Sequence, residues 1–467
     1  MIVFRGKIKG ASLLALGIAC TLALSACSHL PFKKKSLEDD AVAAQGQRLS
    51  IVAFEQKLEP AKSLKGIGYY LPPVQPVASW PTSNGPADAL VQNADSAKEF
   101  KIAWSKSIGL GSKGPTEVLA QPVSDGRLIY TLDGGARVSA FDVNTGAQVW
   151  TSDLNPKYKR DKVGFGGGLA LSDDGKLFVT SGYRTLTALD ASNGKVVWQK
   201  ALDTQMHSAP AVDARYVYAT DVDNQIFAFD RTNGDMKWTY QAIAEPARLL
   251  RTAAPIAAGD TVYAPFSSGE LVALNSEGGA VKWGQVLAQS TRTNALSEIR
   301  DISGRPVIYN GTVFAASHSG VFQAMNATTG EPVWTITTDS TNSPWVAGDV
   351  VFLVNLQGEL LCANRTSGQI YWIKELNTKT AQKSGKGFFG ISKMMGDKRI
   401  QTQWSGPFMA SDRLVMVNSL GQAVALDPKT GDATQTLNLG GAAFIAPIAV
   451  GDKLFIVTDD AKLVAIR

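Results

Sequence analysis

The stretch that decides the fold is Ala188-Leu-Asp-Ala-Ser-Asn-Gly-Lys-Val-Val-Trp198. An apolar strand runs into an aspartate that can bond its own turn, a glycine takes the left-handed turn position, and a second strand carries the tryptophan. Further copies of the pattern end at Trp150, Trp238, Trp283, Trp334, Trp372 and, without the tryptophan, Gln435. Repetition at steps of 38 to 63 residues indicates a repeat architecture.

Each tryptophan strand is followed by a short apolar segment, usually opened by a proline, then by a turn and a β-branched or aromatic strand. The apolar segments begin at Pro122, Leu169, Pro210, Pro255, Pro306, Pro344, Pro407 and Pro447. Four strands per repeat, eight times, predict an all-β fold, the eight-bladed β-propeller. The last blade lacks its outer strand because the chain ends at Arg467, and we expect residues 101–108 to supply that strand and close the ring.

The tryptophans that recur in the repeats have a predicted structural role. A large ring on an outer strand can pack over the neighbouring blade while its indole N–H bonds to the backbone. The residues expected to join blades in this way are Trp104, Trp150, Trp198, Trp238, Trp283, Trp334 and Trp372.

The chain divides into three parts. Residues 1–26 read as an export signal, with basic residues in the first ten positions followed by an apolar run. The run ends at Leu24-Ser25-Ala26-Cys27, which resembles the bacterial lipobox, so Cys27 is the expected lipidation site. Residues 27–98 read as the acylated cysteine, a tether and a proline-rich extension, in which a short helix around 85–98 is an option. Residues 99–467 form the predicted propeller.

The lipobox also predicts a location. In lipobox proteins, Ser28 rather than Asp after the cysteine directs the protein to the outer membrane. Several acyl chains, such as palmitate, make a stable anchor, whereas one chain alone is marginal. We therefore expect a protein anchored by lipid at the periplasmic face of the cell outer membrane.

Charge and composition exclude other classes. The formal net charge is +5, but residues 1–26 hold three basic residues and no acid, and the remainder carries 43 basic and 41 acidic residues. A nucleic-acid-binding protein shows a clustered basic stripe, so no nucleic-acid partner is expected. Of the three cysteines, Cys20 lies in the export signal, Cys27 ends it and Cys362 stands alone, and the three histidines are far apart, so the sequence offers no disulfide framework and no metal site.

The repeats are similar to the tryptophan-docking repeats of quinoprotein-type propellers. Together with the lipobox and the length, they resemble the BamB family, the propeller lipoproteins of the outer-membrane β-barrel assembly machinery, in the form with a proline-rich extension that is typical of alphaproteobacteria. The resemblance implies a non-catalytic scaffold that needs no cofactor. Its partners would be the POTRA domains of BamA and the rest of the Bam complex, with unfolded outer-membrane proteins as clients.

The same resemblance singles out two loops between blades. The family's Leu-x-Leu-Arg motif is matched by Leu249, Leu250 and Arg251, with the upstream leucine shifted onto Leu249. The family's Asp-x-Asp motif is matched by Asp301, while Ser303 replaces the second acid. These residues are the expected BamA contacts, and Asp301 could orient Arg251 by a charge-assisted pair. The alternative reading makes the leucines core residues and the charges a surface pair.

Two other functions stay open at this point. A dehydrogenase that uses Ca²⁺-bound pyrroloquinoline quinone shares the repeat, although this chain has no adjacent cysteines and its Asp221-Val-Asp223-Asn224 lacks the glycine and glutamate of a calcium loop. A lipid-anchored scaffold with another envelope partner is the third reading. The interval between Trp372 and Gln435 contains an insertion at 373–403, and its stretch from Thr378 to Gly390 is interpreted as a mobile loop in which Phe388 and Phe389 are exposed.

Overall fold

The structure is a computed structural model that describes residues 58–83, 85, 90–156, 164–245, 248–249, 252–288, 299–377 and 401–467. The described strands form eight four-stranded antiparallel sheets, each built from strands in sequence order except where the ring closes. The prediction of an eight-bladed β-propeller is confirmed. The predicted signal, Cys27, Leu250, Arg251, Phe388 and Phe389 lie outside the described residues.

Within each blade the strands run from the channel outward. Blade 1 comprises β2 (Val123–Ser124), β3 (Leu128–Leu132), β4 (Arg137–Asp142) and β5 (Gln148–Asp153), and blade 2 comprises β6 (Gly167–Leu171), β7 (Lys176–Ser181), β8 (Thr185–Asp190) and β9 (Val196–Ala201). Blade 3 comprises β10 (Ala211–Val212), β11 (Tyr216–Thr220), β12 (Gln225–Asp230) and β13 (Met236–Gln241), and blade 4 comprises β14 (Ile256–Ala258), β15 (Thr261–Pro265), β16 (Glu270–Asn275) and β17 (Val281–Val286). Blade 5 comprises β18 (Val307–Tyr309), β19 (Thr312–Ala316), β20 (Val321–Asn326) and β21 (Pro332–Thr337), and blade 6 comprises β22 (Trp345–Ala347), β23 (Val350–Val354), β24 (Glu359–Asn364) and β25 (Ile370–Glu375). Blade 7 comprises β26 (Trp404–Ala410), β27 (Arg413–Asn418), β28 (Gln422–Leu426) and β29 (Ala433–Asn438). Blade 8 comprises β30 (Ile448–Val450), β31 (Lys453–Val457), β32 (Lys462–Ile466) and, from the other end of the chain, β1 (Ile102–Ser107).

The burial of the strands follows from this layout. Middle strands such as β3 are buried at every position because neighbouring blades cover both faces of the sheet. Outer strands such as β9 alternate between exposed and half-buried residues. The core therefore lies between blades; in one cluster Tyr130 of blade 1 packs with Leu169 of blade 2.

The ring closes by pairing the two ends of the propeller. Strand β1 lies antiparallel to β32, with Trp104 opposite Ala465 and Ser107 opposite Lys462. This confirms the expectation that the N-terminal strand completes the last blade. Closure matters because an unpaired edge at this point would leave a row of backbone groups free to pair with other chains.

The repeated turn brings a glycine under each tryptophan. In blade 2, the N–H of Ser192 donates to Asp190 Oδ1 (2.9 Å), and Gly194 takes a φ of +74°. A Cβ on Gly194 would lie 2.5 Å from the ring of Trp150 in blade 1. The same contact joins Trp104 to Gly146, Trp198 to Gly234, Trp238 to Gly279, Trp283 to Gly330, Trp334 to Gly368 and Trp372 to Gly431.

Most of the indoles also bond to the neighbouring turn. Trp150 Nε1 donates to the carbonyl of Ala191 at 3.0 Å. Equivalent bonds of 2.9 to 3.1 Å join Trp198 to Arg231, Trp238 to Ser276, Trp283 to Ala327 and Trp334 to Arg365. Trp372 donates instead to the Tyr69 hydroxyl, and Trp104 Nε1 has no hydrogen-bond partner among the described residues.

Residues 58–98 pack against the ring, although their composition reads as a linker. They belong to the same structural unit as the propeller, which comprises residues 58–467. Their one described helical turn is the 3₁₀ helix Lys62–Leu64, and residues 90–98 contain no helix. Tyr69 and Leu71 pack between blades 6 and 7, and Trp80 is buried with Phe408 of blade 7.

The extension crosses one face of the ring. Its backbone bonds to the turn ends of inner strands in several blades, including Trp80 with Ser124 (2.8 and 2.9 Å) and Ala94 with Met409 (3.0 Å). Further bonds run from Leu171 to Pro81, from Gly451 to Val77 and from Ala97 to Asp452. We call this side, where the first hairpin turn of each blade lies, the turn face. In the described part of the chain, no helix is both long and apolar enough to cross a membrane.

Candidate interaction site on the loop face

The two loops of the predicted site lie side by side on the face opposite the extension. In each four-stranded blade, the connection from the outer strand to the next inner strand emerges on the side opposite the first hairpin turn. We call this side the loop face. The loop between β13 and β14 joins blades 3 and 4, and the loop between β17 and β18 joins blades 4 and 5. The shared blade makes the two loops neighbours.

A hydrogen bond connects the two loops. The backbone N–H of Leu249 donates to Asp301 Oδ1 at 3.2 Å, across 52 residues of sequence. Asp301 is only 1% exposed, and its Oδ2 has no hydrogen-bond partner among the described residues. The aspartate thus lies beneath Leu249, which is half-buried.

Two turns of the propeller hold Asp301 in place. Its carbonyl accepts the backbone N–H of His318 (2.8 Å), in the turn between β19 and β20. The next residue, Ile302, donates its N–H to the carbonyl of Phe266 (3.3 Å), in the turn between β15 and β16. The His318 ring also lies within hydrogen-bond distance of the Ile299 carbonyl, 3.3 Å from Nδ1. The loop is therefore fixed by blades 4 and 5 rather than by its own sequence.

Burial dominates the electrostatics of this carboxyl group. Loss of solvent raises the pKa of Asp301 to about 7, and the hydrogen bond from Leu249 and the charge of Arg248 offset only part of that effect. The negative charge of Glu245 also raises the pKa of Asp301. Arg248 itself reaches Asp223, with 3.4 Å between Nη1 and Oδ1.

The structure distributes the predicted contact residues unevenly. Leu249 and Asp301 are brought together, but Asp301 is covered, and Leu250 and Arg251 lie outside the described residues. Ser303, at the position of the family's second acid, is buried and lines the central channel instead of the loop surface. Ser303, which replaces the family's second acid, therefore faces the channel.

Sequence reasoning missed one exposed residue beside the loops. Ile243 is 60% exposed directly after β13, and its backbone N–H donates to Glu270 Oε2 at 2.9 Å. The sequence did contain a signal for this residue: Ile243 is a large aliphatic side chain in the loop after β13, where a polar residue is more usual. An exposed apolar residue next to a candidate binding loop adds to the surface that a partner can desolvate.

The central channel allows a test of the quinone-enzyme alternative. It holds a cavity of about 370 Å³, walled by six of the prolines that precede inner strands and by Trp80, Trp345 and Phe408. Oxygen-rich carboxylate sites bind Ca²⁺, yet the described lining contains no aspartate or glutamate. Asp221 Oδ1 accepts the N–H groups of Asp223 and Gln225, both at 2.9 Å, so this Asp-x-Asp closes a hairpin turn. The described residues do not fit a Ca²⁺-bound quinone.

These observations define a class: an eight-bladed propeller with quinoprotein-type tryptophan repeats, a channel without carboxylates in its described lining, and two linked loops on one face. Residues 134–374 match the family described as outer membrane protein assembly factor BamB. The chain belongs to this family, which confirms the resemblance inferred from its motifs.

Individual relatives are distant. The chain is 29% identical to an uncharacterized protein of Rickettsia prowazekii (strain Madrid E) over 57% of this chain and 64% of that protein. It is 24% identical to the outer membrane protein assembly factor BamB of Shewanella oneidensis (strain MR-1), over 78% of this chain and 88% of that one. The matched part thus spans less than two thirds of the Rickettsia protein.

Solved structures that share the fold include a BamB and a quinoprotein enzyme. BamB from Moraxella catarrhalis superposes with a TM-score of 0.65 at 18% identity, covering 78% of this chain and 99% of that one. The quinohemoprotein alcohol dehydrogenase of Comamonas testosteroni superposes with a TM-score of 0.60 at 15% identity, covering 83% and 80%. Both are similar to this chain in architecture, and neither likeness by itself carries a function.

Proposed function

We propose that this protein is a non-catalytic scaffold of outer-membrane protein assembly, which binds the periplasmic POTRA domains of BamA through its loop face and assists the folding and insertion of outer-membrane proteins. The family match supports the general role. The observation that carries the specific proposal is the bond between Leu249 and the buried Asp301, which joins the two motif-bearing loops. We infer that Asp301 is a positioning residue and that Leu249, Leu250 and Arg251 form the contact.

Preorganisation explains how a buried aspartate serves a binding surface. A loop that is already fixed before a partner arrives loses less conformational freedom on binding. Leucine and arginine side chains at the centre of a small interface can then be desolvated together, as in binding hot spots. The bond to Asp301 fixes the backbone of Leu249 in this way.

The outer strands supply a second surface, for clients. Their exposed apolar residues include Val149, Val196, Val197, Met236, Val281 and Val333. At blade 6 the chain's own extension already uses such an edge, because the N–H of Ala61 donates to the Ile370 carbonyl of β25 at 2.8 Å. Unfolded outer-membrane proteins, which are extended and amphipathic, would pair with open blade edges by β-augmentation.

The membrane location is part of the proposal. Lipidation at Cys27 would hold the propeller at the periplasmic face of the outer membrane, close to BamA. Metabolic labelling with palmitate tests this directly: the wild-type chain should incorporate the label and Cys27→Ser should not. Label retained by the variant would remove Cys27 as the anchor.

The docking site is tested by Arg251→Glu. Charge reversal at the centre of the contact should abolish co-purification of BamA from detergent-solubilised envelopes and leave the melting temperature unchanged. The matched control is Arg215→Glu, an arginine in the first hairpin turn of blade 3, on the turn face, that pairs with Glu277 (2.5 Å). BamA retained by the Arg251 variant would reject the site; BamA lost by both variants would reject its specificity.

The same purification separates the alternative functions. Wild-type protein that brings down other envelope proteins but no BamA would support a scaffold with a different partner. Addition of pyrroloquinoline quinone and Ca²⁺ to the purified protein, followed by absorbance spectroscopy, tests the enzyme alternative. The channel lining predicts no bound chromophore.

A further inference from the structure

Part of the extension exposes apolar side chains outside the propeller strands. Ile67, Tyr70 and Val74 are 56%, 58% and 38% exposed, and all three fall within eight residues of sequence. Most other exposed large apolar residues in the described chain lie on outer strands, where an exposed valine is part of a regular sheet. No such regularity accounts for this group.

Basic residues accompany the apolar ones. Lys62 and Lys65 are both exposed, and Glu59 is the single acid between residues 58 and 74. A Cβ added at Gly66 or Gly68 would meet nothing within 4 Å, so the chain between them stands clear of the ring. We call residues 62–74 the extension patch.

The ends of the patch are held firmly, so its exposure is not a consequence of fraying. Upstream, Ala61 bonds to the edge of blade 6. Within the patch, the Tyr69 hydroxyl donates to the Pro428 carbonyl (2.8 Å), and the Tyr70 N–H donates to Asp349 Oδ2 (2.8 Å). Just downstream, the Gln75 N–H donates to the Asn93 carbonyl (2.8 Å). Asp349 lies in the turn between β22 and β23, which places the patch on the turn face.

The size and position of the patch favour one partner. Three apolar residues are far fewer than the 20 to 30 residues that each partner contributes to a stable protein interface. Exposed aliphatic and aromatic residues beside lysines suit the headgroup region of an anionic bilayer, which attracts each basic residue near its surface. Residue 58 follows the proposed anchor Cys27 by 31 residues, and the tether makes even a weak membrane contact effectively intramolecular.

We infer that the extension patch is a second membrane contact of this lipoprotein, made with the anionic headgroups of a bilayer. The inference rests on the proposed lipid anchor but not on BamA binding. Its consequence is an orientation. With the turn face toward the bilayer, the loop face that carries Leu249 and Asp301 points into the periplasm, away from the membrane.

Site-directed fluorescence tests the inference on the full lipidated protein. Cys362 is buried and Cys27 carries the lipid, so Ile67→Cys creates one reactive thiol for a polarity-sensitive fluorophore. Val333→Cys is the matched control, since Val333 is 55% exposed on an outer strand. The protein is reconstituted into vesicles of phosphatidylethanolamine and phosphatidylglycerol that contain a nitroxide-labelled lipid.

The expected result is a blue shift and several-fold stronger quenching at position 67 than at position 333. Lys62→Glu with Lys65→Glu, or vesicles of phosphatidylcholine alone, should reduce the quenching at position 67. Equal quenching at the two positions overturns the inference. Failure of the protein to float with the vesicles overturns the anchor and the inference together, while BamA co-purification remains an independent measurement.

Discussion

The indole of Trp372 donates a hydrogen bond of 2.8 Å to the hydroxyl of Tyr69, a residue of the extension. The same hydroxyl donates to the carbonyl of Pro428 in blade 7, also at 2.8 Å. In five other junctions the indole reaches the equivalent carbonyl of the next blade directly. Tyr69 is thus inserted into the joint between blades 6 and 7, and the extension is a structural part of the ring.

Tyr69→Phe tests this role. The phenylalanine keeps the packing against Tyr371, whose ring centre lies 4.6 Å away, but removes both hydrogen bonds of the joint. Leaving the half-buried indole N–H without a partner costs on the order of 1 kcal/mol, so the melting temperature should fall. Tyr70→Phe is the control, because Tyr70 is 58% exposed and should be insensitive. An unchanged melting temperature for Tyr69→Phe would show that the joint re-forms without the hydroxyl.

The role of the tryptophans as joints between blades is tested best through the glycines beneath them. Gly194→Ala introduces a Cβ at a φ of +74°, 2.5 Å from the Trp150 ring. Gly175→Ala introduces one at almost the same φ, +77°, with nothing within 4 Å. The backbone strain is shared, so the difference in unfolding free energy isolates the contact with the ring. We expect Gly194→Ala to be more destabilising by about 1–3 kcal/mol in chemical denaturation. Equal losses would mean that the ring moves aside without cost.

The repeats made most of the fold predictable because their signal is local. An aspartate or asparagine, a glycine and a tryptophan within a few residues define a hairpin, and Trp104 marked the strand that closes the ring. The extension carries no such signal. Tyr69 and Pro428 are 359 residues apart in sequence, and a proline-rich composition reads the same whether the segment is free or packed on a ring.

The two motif-bearing loops could be identified from the sequence, but the burial of Asp301 could not. A family motif places Asp301 in a loop, and loops normally expose their charges. Its burial depends on Phe266 and His318, each in a different blade, which hold the loop against the propeller. No pattern within residues 299–303 encodes those two contacts, so the burial of Asp301 could not be predicted from the sequence.

Gln435→Trp should not repair the repeat. Blade 8 has no hairpin between β32 and β1, because these strands come from opposite ends of the chain, and therefore it offers no turn glycine for an indole to cover. Arg413 occupies this joint instead: it donates to Gln435 Oε1 (2.8 Å) and to the Ala97 carbonyl (2.6 Å), above the ring of Phe100.

A tryptophan at position 435 would displace the Arg413 guanidinium, so the melting temperature should fall, by an amount equivalent to about 1–2 kcal/mol. Gln435→Ala removes the hydrogen bond from Arg413 without adding a larger side chain, so it is the reference variant for the effect of losing that bond alone. A higher melting temperature for Gln435→Trp would mean that blade 8 can accept a tryptophan without the turn glycine.

Asp301→Asn should change the pH dependence of stability. Burial raises the pKa of Asp301 from 3.8 to about 7, so between these values the folded protein binds more protons than the unfolded chain. Stability therefore falls as the pH rises through that window, and the cost is fully present above pH 7. Asparagine does not titrate and can still accept the N–H of Leu249, so the variant should be more stable than wild type at pH 8, by at most about 4 kcal/mol. The gain should shrink as the pH is lowered toward 4.

Melting temperatures of both proteins at pH 5 and pH 8 measure this effect. Ser303→Ala, a change in the same loop that adds or removes no titrating group, should shift the melting temperature equally at both pH values. A loss of stability of Asp301→Asn at pH 8 would instead mean that the carboxylate is charged and paired in the folded protein, the arrangement expected if it orients Arg251. The sign of the stability difference between Asp301→Asn and wild type at pH 8 thus decides whether Asp301 supports the loop as a neutral hydrogen-bond acceptor or as a charged carboxylate.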